Sequence, residues 1–339
     1  MAHFKLIKFL LATLSAHQAL ALIPSTRIAV SQVNQLDETF WNDYETGAKG
    51  PNPQVTYKTT DVTSPLFHTT QNSPQCDSTS LTLLTPSNTN TALLLDARGS
   101  LIYAHEEAGA ISNLRIQTYE SAPHLTFWTG DASTNWHHGA GYYKMLDTSY
   151  NLAYVITAVG HDSEDISGDY HDFSITADDT ALITAYVKTP WNLTSKGGRE
   201  EGWIWDCVVQ EIDVVTNALI FEWRASQHLA FDDMIVDSWS SWTGVEADPW
   251  DFFHINSASK DAKRNYLISA KFSRSVIYIS GEDGEVIWEL GGKNSTFEDI
   301  SHRPHPMVDT KIRRHKRRNT ISTQDGKRLS CGLPKQWSS

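Results

Sequence analysis

The sequence predicts an all-β fold, a β-propeller, and three observations carry that expectation. The first is composition: Trp, Tyr and Phe occur twelve times each against four Met, and Thr and Ser are frequent, a mix that suits pleated surfaces better than helices. The second is repetition. "ALLLDARGSLIYA", "YKMLDTSYNLAYVITA", "VVQEIDVVTNALIFEWRA" and "SVIYISGEDGEVIWELGG" each run as a β-branched or aromatic strand, a short polar turn and a second strand. Their turns fall near Gly99, Asn151, Asn217 and Gly284, because tight hairpins need positive φ, which Gly and Asn reach at least cost. The third is a unit ahead of the later hairpins: "HDFSITADDTALITAY" from His171 and "HINSASKDAKRNYLISAKF" from His254 each read strand, acidic turn, strand. A blade then consists of a His-bearing strand, an "LIT" or "LIS" strand, an "EID" or "YIS" strand, and an outer strand ending in Trp. A β-sandwich predicts turn signals without this longer period.

The elements follow in chain order. Residues 1–21, "MAHFKLIKFLLATLSAHQALA", place Lys5 and Lys8 before a short apolar run and end on Ala19-Leu20-Ala21, the pattern of a cleaved secretory signal. The mature chain is expected from near Leu22, exported, with no later run apolar enough to span a bilayer. Residues 22–300 form the propeller domain. The sequons at Asn192 and Asn294 fit glycosylation on the export route. Cys76, Cys207 and Cys331 permit a disulfide, but their spacing does not choose the pair, and no two lie close enough to suggest a metal clip. Residues 301–339 form a basic, disordered tail: from His302 onward it holds ten Lys or Arg against two Asp, within a chain of formal charge -12. The remaining acidic body excludes nucleic acid as a partner, since phosphate neutralisation needs basic surface.

Chemistry is expected at the blade axis. His171 and His254 occupy equivalent places in two blades, so two imidazoles from distant sequence should converge, and imidazole is the natural group for nucleophilic or acid-base work near neutral pH. They are the candidate catalytic residues. Lys271, at the end of the strand after His254, can bring a cation there, and Asn256 adds a polar group on the inner strand; both are candidate substrate-binding residues. Trp223 and Trp288 close equivalent outer strands and read as packing between blades. In "HHGAGYY" from His137 the adjacent histidines would point to opposite faces of a strand, which weighs against a metal. Neither a P-loop nor a G-x-S-x-G elbow occurs.

The ordered series "TFWTGDASTNWHHGAGYYKMLDTSYNLAYVITAVG", "DYHDFSITADDTALITAYV", "GWIWDCVVQEIDVVTNALIFEWRASQHLAFDD" and "DFFHINSASKDAKRNYLISAKFSRSVIYISGEDGEVIWELGGKNSTF" resembles the fungal arylsulfotransferase (ASST) family, over about Val55 to Phe297. The resemblance implies a six-bladed propeller. It also implies transfer of a sulfuryl group from a phenolic sulfate ester to a phenol, through a sulfohistidine and without a cofactor or a nucleotide donor. His254 in "FHINS" and His171 in "YHDF" match the family's histidines that hold sulfuryl oxygens. Lys271 stands where the family usually has Arg, and Phe272 where it often has His. Lys can supply one charge-assisted hydrogen bond, worth about 1.5 to 3 kcal/mol, but not the bidentate fork of Arg. After "WELGGKNSTF" the family continues to a "QHD"-like motif bearing the nucleophile, whereas here "EDISHRPHPMVDTKIRRHKRR" follows and no residue matches, His302 and His305 included. The propeller is therefore expected to be incomplete, and transfer impaired by as much as about 10⁶. Two other readings remain: a non-catalytic propeller that binds or scaffolds, and a quinone-dependent dehydrogenase, which would need a calcium-quinone ligand cluster that the sequence does not show.

Overall fold

Alternating apolar and polar positions in the repeats fold as hairpins, and the structure, a computed structural model, is almost entirely β. It describes residues 25–298 except 51, 70–79, 87–88, 133–137, 163 and 237–238, together with the backbone of a hairpin at 320–322 and 328–330. Residues 1–21, Cys76, Cys331, His137, His302, His305 and most of 301–339 lie outside the described residues.

The chain divides into two units, one of Met1–Pro86, Leu93–His105 and Arg318–Ser339, the other of Ser87–Ala92 and Glu106–Arg317. In the first, β1 (Arg27–Ala29) pairs in parallel with β2 (Gln54–Thr56), which pairs antiparallel with β3 (Ser64–Pro65). Helix α1 (Glu38–Glu45) starts where the Asp37 carboxylate accepts from the Phe40 N–H at 2.9 Å, satisfying one of the otherwise orphaned first-turn donors. Strands β4 (Thr82–Leu84), β5 (Thr91–Leu95) and β6 (Leu101–Glu106) form a meander. Its β5 to β6 turn is held by Asp96, which accepts from the N–H groups of Arg98 and Ser100, with Gly99 at φ +80°.

The second unit contains, among the described residues, three four-stranded antiparallel meanders, the blades of a β-propeller. Blade one is β7 (Ala110–Tyr119), β8 (Ala122–Asp131), β9 (Ala140–Leu146) and β10 (Leu152–Ile156). Blade two is β11 (Ile166–Ile175), β12 (Thr180–Trp191), β13 (Gly202–Asp213) and β14 (Leu219–Arg224). The two-residue β15 (Trp250–Asp251) adds in parallel to β13. Blade three is β16 (Ile255–Lys260), β17 (Tyr266–Ala270), β18 (Ser275–Ile279) and β19 (Val286–Gly291). Strand for strand, blades two and three follow the order expected from the "LIT/LIS" and "EID/YIS" segments.

Between blades one and two lie Tyr119, Trp128, Tyr143, Phe173, Ile183 and Ile212. The polar edges of this layer are satisfied: Trp128 Nε1 donates to Gly168 O at 2.9 Å, and the Tyr143 hydroxyl lies 2.7 Å from the carbonyls of Asp169 and Thr184. Blades two and three meet through Tyr186, Cys207, Trp223, Ile255, Tyr266 and Ile277. Fully burying each large apolar side chain contributes about 1.5 to 3 kcal/mol. Trp223 is 1% exposed and donates to Gly284 O at 3.0 Å. Trp288 differs from the expectation: it is half-buried, stacked on Tyr278 at 5.1 Å and edge-on to Phe297, outside the interblade core.

Candidate histidine centre

The centre begins with irregular strand pairing. On β11 the ladder breaks between Gly168 and Phe173, so that Asp169 to Asp172 face the single residue Thr184 of β12. A bulge of this kind re-aims side chains that a regular period of two would alternate. The Thr184 hydroxyl donates to Asp169 Oδ2 at 3.2 Å and accepts from the Asp172 N–H at 3.3 Å. On β16 a second shift, between Ile255 and Ser257, leaves Asn256 as the extra residue.

His254 stands just before β16 at φ +55°, a left-handed conformation that costs a non-glycine residue about 1 to 2 kcal/mol. Two contacts hold it there. Its carbonyl accepts from the Lys271 N–H at 2.9 Å, and its Nδ1 is hydrogen-bonded to Asp251 Oδ2. His254 and Asp251 are 4% and 1% exposed. His171 is tethered in the same manner, with Nδ1 2.7 Å from Asp169 Oδ2. The two imidazoles, from two blades, meet edge to face with ring centroids 5.1 Å apart. With Nδ1 engaged by a carboxylate in each ring, Nε2 is the nitrogen that carries donor or nucleophile chemistry.

Asp169 is fully buried. Burial raises its pKa, but the His171 imidazole, the Gly139 N–H at 2.8 Å and the His171 N–H at 2.8 Å outweigh it and hold the carboxyl below its ordinary value. The centre is therefore anionic beneath its imidazoles. The Gly139 bond also draws in His138, which stacks on Tyr186 at 4.2 Å and meets Trp205 edge-on at 4.5 Å. Burial depresses its pKa to about 4, against the pull of Asp251 and Asp169, so it is neutral at pH 7. Tyr186 and Cys207 are held well above their ordinary values by burial first and then by neighbouring charge. Among the described residues Cys207 has no disulfide partner.

Of the residues singled out in the sequence, His171 and His254 come together and Asn256 sits at the bulge two positions on. The Lys271 side chain is exposed, its Nζ 5.0 Å from the centre of the Phe272 ring, and that ring lies 5.5 Å from His254. Asn192 and Asn294 are exposed on the surface. Asn192 Oδ1 accepts from the Thr194 N–H at 2.9 Å, and Asn294 Nδ2 donates to Asp233 Oδ2 at 2.6 Å. Among the described residues no group of three or more His, Cys, Asp or Glu is arranged to hold a metal ion. None of the described helices is long and apolar enough to cross a membrane. Sequence reasoning missed Asp169, Asp251 and the place of His138. The signal was present as an Asp two or three residues before each histidine, in "DYH" and "DFFH".

Blades packed face to face around carboxylate-tethered histidines define a β-propeller protein with a histidine centre. The arylsulfotransferase (ASST) family profile matches residues 115–307, more than half of the sequence, and the chain belongs to that family. No curated protein matches it in sequence. Among solved structures, a protein of unknown function from Bacteroides caccae is similar at 10% identity and TM-score 0.35, covering 61% of this chain and 56% of that one. Hydrazine synthase from Kuenenia stuttgartiensis follows at 12% identity and TM-score 0.34, covering 60% and 49%. The Dos1 propeller is similar at 10% identity and TM-score 0.33, covering 63% and 57%. The chain spans about half the length of these three proteins.

Proposed function

We propose that the chain binds aryl sulfate esters at the His171 and His254 pair and that this centre takes part in sulfuryl transfer to a phenol. The observation that carries the reading is the meeting of two imidazoles 5.1 Å apart, each with Nδ1 on a buried carboxylate. In their protonated form two Nε2–H donors would grip sulfuryl oxygens, each charge-assisted bond being worth about 1.5 to 3 kcal/mol. Transfer breaks the S–O bond to the donor aryl group, whose phenolate leaves with the electron pair. It forms an S–O bond to the acceptor, whose hydroxyl proton is released. In this reading a sulfohistidine is the intermediate in relatives that carry the "QHD" motif, a string that does not occur within residues 298–339.

That same mismatch favours a second reading, a propeller that binds sulfated aromatics without turning them over. Incubation with 4-nitrophenyl sulfate and a phenol separates the two. Acceptor-dependent nitrophenol release that falls at least about 100-fold in His254→Ala supports transfer. Binding of the ester without release supports the second reading, and absence of binding sinks both. Export is part of the proposal and rests on the basic, apolar and small-residue order of residues 1–21. Mass spectrometry of secreted protein would find an N-terminus near Leu22 and glycans on Asn192 and Asn294, whereas retention of Met1 would refute it.

A further inference from the structure

Two buried polar atoms beside the histidine pair have no hydrogen-bond partner among the described residues: Asp251 Oδ1 and Trp205 Nε1. Asp251 is 1% exposed, and its other oxygen, Oδ2, is committed to His254. Trp205 and Asp251 stand opposite each other across the parallel pairing of β13 with β15, so their side chains leave the ladder on the same face. His138 lies on that face too, edge-on to Trp205. A buried carboxylate oxygen or indole N–H without a partner costs about 1 to 3 kcal/mol, more for the charged group.

We infer that Asp251 Oδ1 and Trp205 Nε1 form a subsite for the hydroxyl of an aromatic ligand. The chemistry selects the group. Asp251 needs a donor and Trp205 Nε1 needs an acceptor, and a hydroxyl supplies both from one oxygen. A sulfate ester supplies acceptors alone and would be repelled by the carboxylate. An ammonium supplies donors alone. Aromatic rings lie close by, with His138 edge-on to Trp205 and stacked on Tyr186, and Phe272 against His254, which suits an aryl ring on that hydroxyl. The inference deepens the proposed transfer by assigning the acceptor phenol to Asp251 and Trp205, apart from the imidazole Nε2 atoms that would hold the sulfuryl group. Because Asp251 touches both His254 and the hydroxyl, it links the two halves of the centre.

Equilibrium dialysis of the full chain with 1-naphthol and with 1-methoxynaphthalene, without any sulfate donor, tests this directly. The ether keeps the ring and removes the donor. Wild type should bind the naphthol at least about tenfold more tightly than the ether. Trp205→Phe keeps the packing and removes the N–H; it should lower naphthol affinity, leave the ether unchanged and bring the ratio below about threefold. Asp251→Asn should do the same, and Trp205→Phe decides the matter alone where loss of the His254 tether unfolds the former. Equal affinity for the two probes in wild type, binding of neither, or an unchanged ratio in Trp205→Phe overturns the inference. Failure of sulfuryl transfer with the ratio intact would refute the proposed reaction and leave the subsite standing.

Discussion

Asp169 gathers four donors onto one buried carboxylate: the N–H groups of Gly139 and His171, the His171 imidazole and the Thr184 hydroxyl. Replacing it by Asn turns one acceptor oxygen into a donor that faces donors. Asp169→Asn should therefore cost about 2 to 4 kcal/mol, read as a lower urea midpoint at unchanged slope. A midpoint within experimental error of wild type would show that these bonds add nothing net. At this scale the sequence was half legible. Recurrence pointed to His171 and His254, whose rings do meet. Their Asp partners sat in plain view, but a period-of-two reading sends Asp169 and His171 to one face only in a regular strand and says nothing of the bulge that folds the carboxylate back onto the ring. The place of His138 was hidden for the same reason, since Gly139 reaches Asp169 through a backbone N–H that no side-chain pattern encodes.

Hairpins were the most legible elements because turn chemistry is local. Gly99, Asn217 and Gly284 take φ of +80°, +56° and +77° at the turns where they were expected. The fourth turn puts Tyr150 rather than Asn151 at positive φ (+61°), with Asp147 accepting from the N–H groups of Ser149 and Asn151. A strong Asp cap thus overrides the preference for Asn at that position. Contact between blades is less legible, because it depends on where side chains are lacking. Blades one and two share one backbone pairing, Gly141 with Gly168, where a Cβ on Gly168 would run into the Tyr143 ring and Gly141 O of blade one. Gly168→Ala should cost about 3 kcal/mol, since the Gly141 backbone and the buried Tyr143 ring across the blade boundary cannot readily yield. Gly197→Ala is the control. It has open space around it and φ +79°, so only the left-handed backbone opposes the methyl, at about 1 kcal/mol. Equal midpoints for the two variants would refute close blade packing as the cause.

Within the bladed unit, Asp172 ties all three blades. Its Oδ1 accepts from Arg115 Nη2 of β7 at 2.8 Å and its Oδ2 from the Ala258 N–H of β16 at 3.0 Å. Such cooperativity means that titration of one buried group is felt in global stability. Two buried groups titrate in overlapping windows with opposite sign. Burial lowers the His138 pKa to about 4, below its value in the unfolded chain. The unfolded chain then binds the extra proton, and stability present above about pH 6.5 is lost as pH falls towards 4. Burial raises the Asp206 pKa to about 6, outweighing its bonds from Ser226. Here the folded chain holds the extra proton, and stability present below about pH 3.8 is lost as pH rises through 6. Each contributes about 3 kcal/mol over its full range. Glu164, held down to about 2 first by its bonds from Arg224, is ionised in both states above about pH 5 and stays outside the comparison. Between pH 5 and 6 the slopes of His138 and Asp206 oppose each other, with buried Glu289, its pKa also raised by burial, adding to the falling side, so wild-type stability should rise with pH less than it does in Asp206→Asn. Asp206→Asn removes the Asp206 share of the falling slope and should leave stability rising by up to about 1.4 kcal/mol per pH unit. His138→Asn should leave it falling at a similar rate. Urea titrations of the three proteins at three pH values across that window provide the check. Parallel curves would mean that the two buried groups keep their ordinary ionisation in the folded chain.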